Sequence, residues 1–154
     1  MSLRVIPCVA STEPDVLTRR EDSLYKVVIG CEHPKEGKRM IKEELEFFDV
    51  TGKPWRPVPG SKCTGLRERI LSGDPNTGDY TRILRFDPGC DTTPNGVLTH
   101  DFWEEVYIVE GSFIDLTLNQ EFRAGQYACR PPGMPHGPWK SPNGCTTFEV
   151  RYTR

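Results

Sequence analysis

Residues 125–136 read GQYACRPPGMPH, and this stretch decides how the rest of the chain is interpreted. It places a glycine, a proline, a second glycine and a histidine in the spacing G-x5-P-x-G-x2-H, at Gly125, Pro131, Gly133 and His136. Glycine and proline at such intervals are typical of tight turns that border a short strand. The pattern therefore predicts a strand after the first glycine, followed by a turn that sets the direction of the segment carrying His136.

A second informative stretch lies upstream. Residues 100–111 read HDFWEEVYIVEG, in which His100, Glu104 and Gly111 have the spacing H-x3-E-x6-G. The valines, isoleucine and tyrosine that follow the two glutamates predict a β-strand, which the glycine ends. Because successive side chains of a strand point to opposite faces, Glu104 and Glu105 are expected to face opposite ways.

The two stretches match the two motifs of the cupin superfamily, the second in full and the first in its second half. The chain resembles a single-domain cupin over residues 96–139, and more loosely from about residue 48. It is most similar in character to the cupin modules of the anti-sigma-factor type and their enzyme relatives. The resemblance implies an all-β jelly-roll β-barrel that forms a homodimer. It also places Glu104 inside the barrel and Glu105 outside.

The resemblance further implies a metal site. Cupins usually supply four ligands, and this chain keeps His100, Glu104 and His136 but has Leu98 in the place of the first histidine. Two imidazoles and one carboxylate form a set that suits Fe(II) and leaves open positions for substrate and dioxygen. One divalent ion is therefore expected, Fe(II) first, with Zn or Mn as the other candidates. In the structural alternative, His100 and Glu104 form only a hydrogen-bonded polar pair inside the barrel.

The remaining sequence predicts further short strands that are separated by glycine- and proline-rich turns. Eight or so such strands indicate a sandwich or barrel. Residues 1–40 are interpreted as an N-terminal arm, a candidate for a strand exchanged between the chains of a dimer, and residues 41–154 as the cupin barrel. The strands are expected at residues 46–50, 65–71, 80–86, 97–100, 104–110, 112–118, 126–130 and 146–152.

Composition excludes several classes of protein. A chain of 154 residues is expected to form one domain, and its net charge of −2 does not favour nucleic acid as a partner. It has no apolar run of roughly 18 residues and no secretory signal, so neither a membrane span nor export is predicted. The six cysteines are therefore interpreted as reduced thiols of a cytoplasmic protein.

The function that the resemblance and its three candidate ligands imply is that of a metal-dependent small-molecule enzyme, in the first place a dioxygenase. Its substrate would be a diketone, a hydroxyketone or a phenolic compound that reacts through a metal-bound enolate. Catalysis is assigned to His100 and Glu104, and substrate binding to Trp103 and Arg130. Two alternatives stay open: a metal-independent isomerase, cyclase, dehydratase or decarboxylase that uses His100 and Glu104 as acid and base, and a ligand-binding or sensor module without catalysis.

A few other residues carry weaker expectations. Arg85 and Arg151, like Arg130, are candidates for anchoring a substrate carboxylate or enolate by bidentate hydrogen bonds. Cys129, within the second motif, is interpreted as a small buried residue rather than a redox-active thiol. His33 would reach the site only if the N-terminal arm folded over the mouth of the barrel.

Overall fold

The computed structural model describes residues 42–153, and the predicted N-terminal arm, with His33, lies outside the described residues. The described residues form nine β-strands and two short 3₁₀ turns, and they contain no α-helix. No helix in this part of the chain is long and apolar enough to cross a membrane. The strands are β1 (Arg56–Pro57), β2 (Leu66–Asp74), β3 (Asp79–Phe86), β4 (Cys90–Asp91), β5 (Trp103–Asp115), β6 (Gln120–Arg123), β7 (Tyr127–Arg130), β8 (Trp139–Ser141) and β9 (Cys145–Tyr152).

The strands pair antiparallel and curl around a shared interior. They follow the order β1-β2-β3-β9-β5-β8-β4, while β6 and β7 also pair with β5. The central strand β5 pairs with β9 and β7 along its first half and with β8 and β6 along its second half. This is the all-β jelly-roll barrel that the sequence predicted.

One glycine bends β5, so that its first half pairs with β9 and β7 and its second half pairs with β8 and β6. The register between β5 and β9 shifts between Ile108 and Glu110, and Gly111 follows with a φ of 73°. A Cβ atom on residue 111 would lie 2.1 Å from the backbone oxygen of Gly144, so no larger residue fits there. The glycine of the first motif therefore has a structural role, which is to bend this strand.

The apolar core contains side chains from β3, β5 and β8. Phe86 and Phe113 have ring centroids 5.6 Å apart, and Trp139 lies 5.8 Å from Phe113 and 6.5 Å from Phe86. Leu84 and Ile108 belong to the same buried cluster. Burial of each such side chain stabilises the fold by about 1.5–3 kcal/mol.

The large sheet of β2, β3, β9 and β5 turns a polar face inward. On β9 the side chains of Thr147 and Glu149 are buried, while Phe148 between them is 39% exposed. On β5 the side chain of Glu104 is buried, and Glu105 faces outward and accepts a hydrogen bond from the Tyr152 hydroxyl. The predicted orientation of the two glutamates is thus confirmed.

Several predicted strands are confirmed and others were wrong. Residues 46–50 are not a strand, because the Asp49 carboxylate accepts a hydrogen bond from the Thr51 amide and caps a 3₁₀ turn. Residues 97–100 contribute only an isolated bridge between Leu98 and His136. The two strands predicted at 104–110 and 112–118 are one strand, β5. The confirmed strands, with small shifts at their ends, are those predicted at 65–71, 80–86, 126–130 and 146–152.

Candidate metal centre

Three side chains from separate parts of the barrel converge. His100 lies just before β5, Glu104 points inward from β5, and His136 follows β7 at the bridge to Leu98. Their potential ligand atoms all lie within 4.8 Å of one another. His100 Nε2 is 3.5 Å and His136 Nε2 is 3.7 Å from the same oxygen, Glu104 Oε2. The fold thus brings together the three residues that the motifs indicated.

Backbone carbonyls fix the orientation of both imidazoles. His100 Nδ1 is 2.8 Å from the Phe102 oxygen, and His136 Nδ1 is 2.9 Å from the Met134 oxygen. Since a carbonyl oxygen only accepts, each Nδ1 carries a hydrogen, and each Nε2 is the ring atom that faces Glu104. His100 Nε2 is buried, and within residues 42–153 it makes no hydrogen bond of normal length. A backbone partner at one ring nitrogen is the arrangement that orients metal-ligating histidines through the other.

Arginines bind both oxygens of Glu104. Arg151 donates from Nε and Nη2 to Oε1, at 2.9 and 2.6 Å, and Arg130 donates from Nη1 to Oε2 at 2.8 Å. Burial acts to raise the pKa of Glu104, but the nearby His100 and the guanidinium groups of Arg151 and Arg130 outweigh it and hold the pKa well below its usual range. Glu104 is therefore a carboxylate at neutral pH, as a metal ligand must be.

The second histidine is neutral at neutral pH. Burial lowers the pKa of the His136 imidazole, and the positive charge of Arg130 lowers it further, against the opposing effects of the Met134 carbonyl and Glu104. A neutral imidazole is the form that binds a metal.

Glu104 and its arginines belong to a longer row of ion pairs across the inner face, which we call the arginine–glutamate ladder. Its neighbouring members alternate in charge, and their charged atoms lie 2.6–3.8 Å apart. Charges inside a protein are tolerated only when they are paired in this way. The members are, in spatial order, Arg56, Glu68, Arg82, Glu149, Arg151, Glu104 and Arg130.

Two cavities share a wall at this site, and their volumes lie near the lower end of the range that small-molecule sites have. The first, of about 270 Å³, is lined by most of the ladder and by Leu98. The second, of about 320 Å³, is mainly apolar. Arg130, His136 and Trp139 line both cavities. The apolar lining of the second cavity includes Val97, Ile108, Leu118, Phe122 and Met134.

Of the four residues predicted to bind substrate, two line the first cavity and two line neither cavity. Arg130 and Arg151 line the first cavity beside Glu104. Arg85 lies on the outer face of the sheet, 4.6 Å from the centre of the Trp55 ring, and has no access to the site. Trp103 is stacked on Tyr152, with ring centroids 6.4 Å apart, and it lines neither cavity.

The expectation for Cys129 was wrong, because its side chain is exposed. Strand β7 pairs only with β5, so it lies at an edge of the sheet. Cys129 alternates with Ala128 and Arg130, which point toward the interior.

Sequence reasoning missed two central members of the ladder, Arg82 and Glu149. Arg82 donates to Glu149 at 2.7 Å and to Glu68 at 2.8 Å, and all three side chains are buried. The available signal was that one face of the last strand carries only Cys145, Thr147, Glu149 and Arg151. An antiparallel strand usually turns its polar face to solvent, so this signal did not indicate an interior position.

The donor set fits a divalent metal ion. It offers two imidazole nitrogens with fixed tautomers and one ionised carboxylate, and His100 Nε2 has no other partner among the described residues. Leu98 offers no ligand atom, which leaves coordination positions open toward the first cavity.

The jelly-roll barrel and the histidine–glutamate cluster define a cupin domain. Residues 43–152, well over half of the chain, match the ChrR cupin-like domain family. The chain belongs to this family. No curated protein sequence is significantly similar to it.

Solved structures with the same fold include enzymes and a regulator. The acetylacetone dioxygenase of Acinetobacter johnsonii is 18% identical, with a TM-score of 0.53, over 74% of this chain and 76% of that one. The polyketide cyclase RemF of Streptomyces resistomycificus is 20% identical, with a TM-score of 0.58, over 70% and 79%. The complex of SigE with the anti-sigma ChrR from Rhodobacter sphaeroides aligns at 21% identity, with a TM-score of 0.51, over 68% and 52%. At these identities the likeness concerns the fold.

Proposed function

We propose that this chain is a metal-dependent small-molecule enzyme whose single divalent ion is held by His100, Glu104 and His136. The observation that carries the proposal is the convergence of two oriented Nε2 atoms on one carboxylate oxygen, at 3.5 and 3.7 Å. Fe(II) is the first candidate for this donor set, and Zn and Mn are the others. Such an ion supplies Lewis acidity and, in the case of iron, reactivity with dioxygen.

The reaction that we propose is a dioxygenase reaction on a diketone, hydroxyketone or phenolic substrate. The first cavity, of about 270 Å³, offers space for such a compound, and Leu84, Val106 and Trp139 form part of its apolar lining. The cupin fold shared with an acetylacetone dioxygenase is consistent with this substrate class. Arg130, which lines both cavities, is the substrate-binding residue that we propose first. The same role for Trp103, which stacks on Tyr152 and lines neither cavity, stays a prediction.

The metal-independent alternative is less well supported. It requires Glu104 to take up a proton, but the arginines and His100 hold the pKa of this carboxyl group well below its usual range. A carboxylate with such a low pKa is a poor general base.

A sensor role is the second candidate, because the family is named after the cupin-like domain of ChrR, and ChrR is the anti-sigma protein in the solved complex with SigE. In that case the same three residues would hold a metal ion without turnover. The two functions differ in one readout, since only the enzyme consumes oxygen when substrate is added.

The test is the metal content of protein prepared without an affinity tag, measured by mass spectrometry. We expect near-stoichiometric metal in the wild type, loss of metal in His136→Ala and in Glu104→Gln, and no loss in Glu105→Gln, whose side chain faces outward. Oxygen uptake is then measured with a panel of diketones and phenols. Absence of metal after reconstitution with iron, zinc and manganese would contradict the proposal. Bound metal without oxygen uptake would favour the sensor.

We also propose that the protein is a homodimer. On the outer face of the sheet, Phe148, Tyr107 and Tyr127 are cross-strand neighbours and are 39%, 46% and 59% exposed. Exposed apolar rows of this kind are typical of interaction surfaces. Analytical ultracentrifugation of the wild type and of Phe148→Ser tests this, and a monomeric wild type would contradict it.

A further inference from the structure

The arginine–glutamate ladder begins and ends on an arginine. It has four arginines and three glutamates, and its inner end is Arg130, whose side chain is 11% exposed. A guanidinium group does not lose its proton in a protein. The ladder therefore has one more positive than negative charge, and one of its two end arginines, Arg130, lies at the wall that the two cavities share.

The three inner arginines use their guanidinium groups differently. Arg82 directs Nε and Nη2 at Glu149 Oε2, both at 2.7 Å. Arg151 directs the same two atoms at Glu104 Oε1. Arg130 contacts Glu104 only through Nη1, and its Nε and Nη2 have no hydrogen-bond partner in the described part of the chain. These two atoms form the edge that binds a carboxylate by two parallel hydrogen bonds.

We propose that this Nε–Nη2 edge of Arg130 binds a carboxylate group of the substrate, which then supplies the next negative charge of the ladder. The inference deepens the proposed function and rests on it, because the carboxylate belongs to the same substrate that reaches His100, Glu104 and His136. The substrate class is thereby narrowed to carboxylate-bearing β-dicarbonyl or phenolic compounds.

The position of Arg130 suits such a compound. Arg130 Nη1 and His136 Nε2 lie 2.8 and 3.7 Å from the same oxygen of Glu104, so a carboxylate on the free edge lies a few atoms from the candidate metal ligands. The second cavity begins at Arg130 and is lined by Val97, Phe122 and Met134. This apolar cavity of about 320 Å³ accommodates an aromatic or branched aliphatic part of the substrate.

The test compares two β-dicarbonyl compounds of nearly equal shape, benzoylpyruvate and benzoylacetone, in which a carboxylate replaces a methyl group. Their binding to metal-free protein is measured by isothermal titration calorimetry. Because a bidentate hydrogen-bonded ion pair is a strong interaction, we expect benzoylpyruvate to bind at least about tenfold more tightly. Arg130→Gln should abolish this preference, and Arg130→Lys should retain part of it, because lysine keeps the charge without the planar fork. Arg85→Gln, on the outer face, is the matched control and should not change it.

Equal affinities in the wild type, no binding of benzoylpyruvate, or a preference that survives in Arg130→Gln would overturn the proposal. Thermal unfolding checks that each variant is folded. If Arg130→Gln does not fold, an unreduced preference in Arg130→Lys overturns the proposal instead. Since the titrations use metal-free protein, a failure of metal binding or of oxygen uptake contradicts the proposed function and leaves the carboxylate preference as a separate result.

Discussion

On the large sheet of β2, β3, β9 and β5, charged side chains are buried on the inner face beside the apolar core, whereas aromatic side chains are exposed on the outer face. The inner face carries the ladder, in which Arg82 and Glu149 are 3% and 4% exposed. The outer face carries the aromatic row of Phe148, Tyr107 and Tyr127. Buried ion pairs are weak evidence for stability, because hydrophobic replacements are often equally stable. The comparison therefore indicates that the buried charges have a reason other than stability, which the proposed binding of a metal ion and a substrate would supply.

The largest difference in the free energy of unfolding is expected between a variant of Arg82 on the inner face and a variant of Arg85 on the outer face. Arg82→Leu leaves the buried carboxylates of Glu68 and Glu149 without their shared cation, so it should lower the free energy of unfolding by about 3–5 kcal/mol. Arg85→Leu removes only a surface pair with Asp87 and a contact with Trp55, and it should cost about 1 kcal/mol or less. Urea denaturation measures both. Equal losses would show that the inner charges are not coupled as the ladder implies.

The next effect is the pH dependence that Glu104 on the inner face gives to stability. The folded state lowers the pKa of Glu104, so its stabilising effect is fully present above the unfolded pKa of about 4.3 and is lost as the pH falls through the folded value. Glu104→Gln should therefore flatten the decline of stability in acid, and Glu105→Gln, on the outer face, is the matched control variant. Thermal unfolding of metal-free protein across the acid range measures this slope. An unchanged slope in Glu104→Gln would mean that other carboxylates cause the decline.

The smallest effect is expected at two neighbouring threonines of β9. The buried Thr147 hydroxyl donates to Glu149 Oε1 at 2.8 Å, so Thr147→Val should cost about 1 kcal/mol. Thr146 lies on the outer face, where valine suits a strand, and Thr146→Val should change stability by about 0.5 kcal/mol or less. Differential scanning calorimetry compares the two variants. A larger loss at Thr146 would reverse the assignment of the faces.

The local sequence was sufficient to predict those parts of the fold and of the candidate site that lie within the two motifs. The intervals around His100, Glu104, Gly111 and His136 carried the resemblance to cupins, and through it the expected barrel and the candidate ligands, because each motif is a strand with its own turn. The same reasoning failed at residues 97–100, where the extended segment found only one bridging partner in the fold. It also failed at the junction of the two predicted strands that form β5, since the local glycine indicated a break where the tertiary structure has a bend.

The sequence by itself indicated the fold class, the three candidate ligands and the inward position of Glu104 through the resemblance of its two motifs to those of cupins, whereas alternation alone required only that Glu104 and Glu105 face opposite ways. Only the tertiary structure decided that Arg82, Arg130 and Arg151 lie inside the barrel and that Trp103 stacks on Tyr152. The reason is that an arginine in a strand can point to water or to a buried partner with the same local pattern. Which of the two occurs depends on glutamates that are far away in the sequence and adjacent only across the sheet.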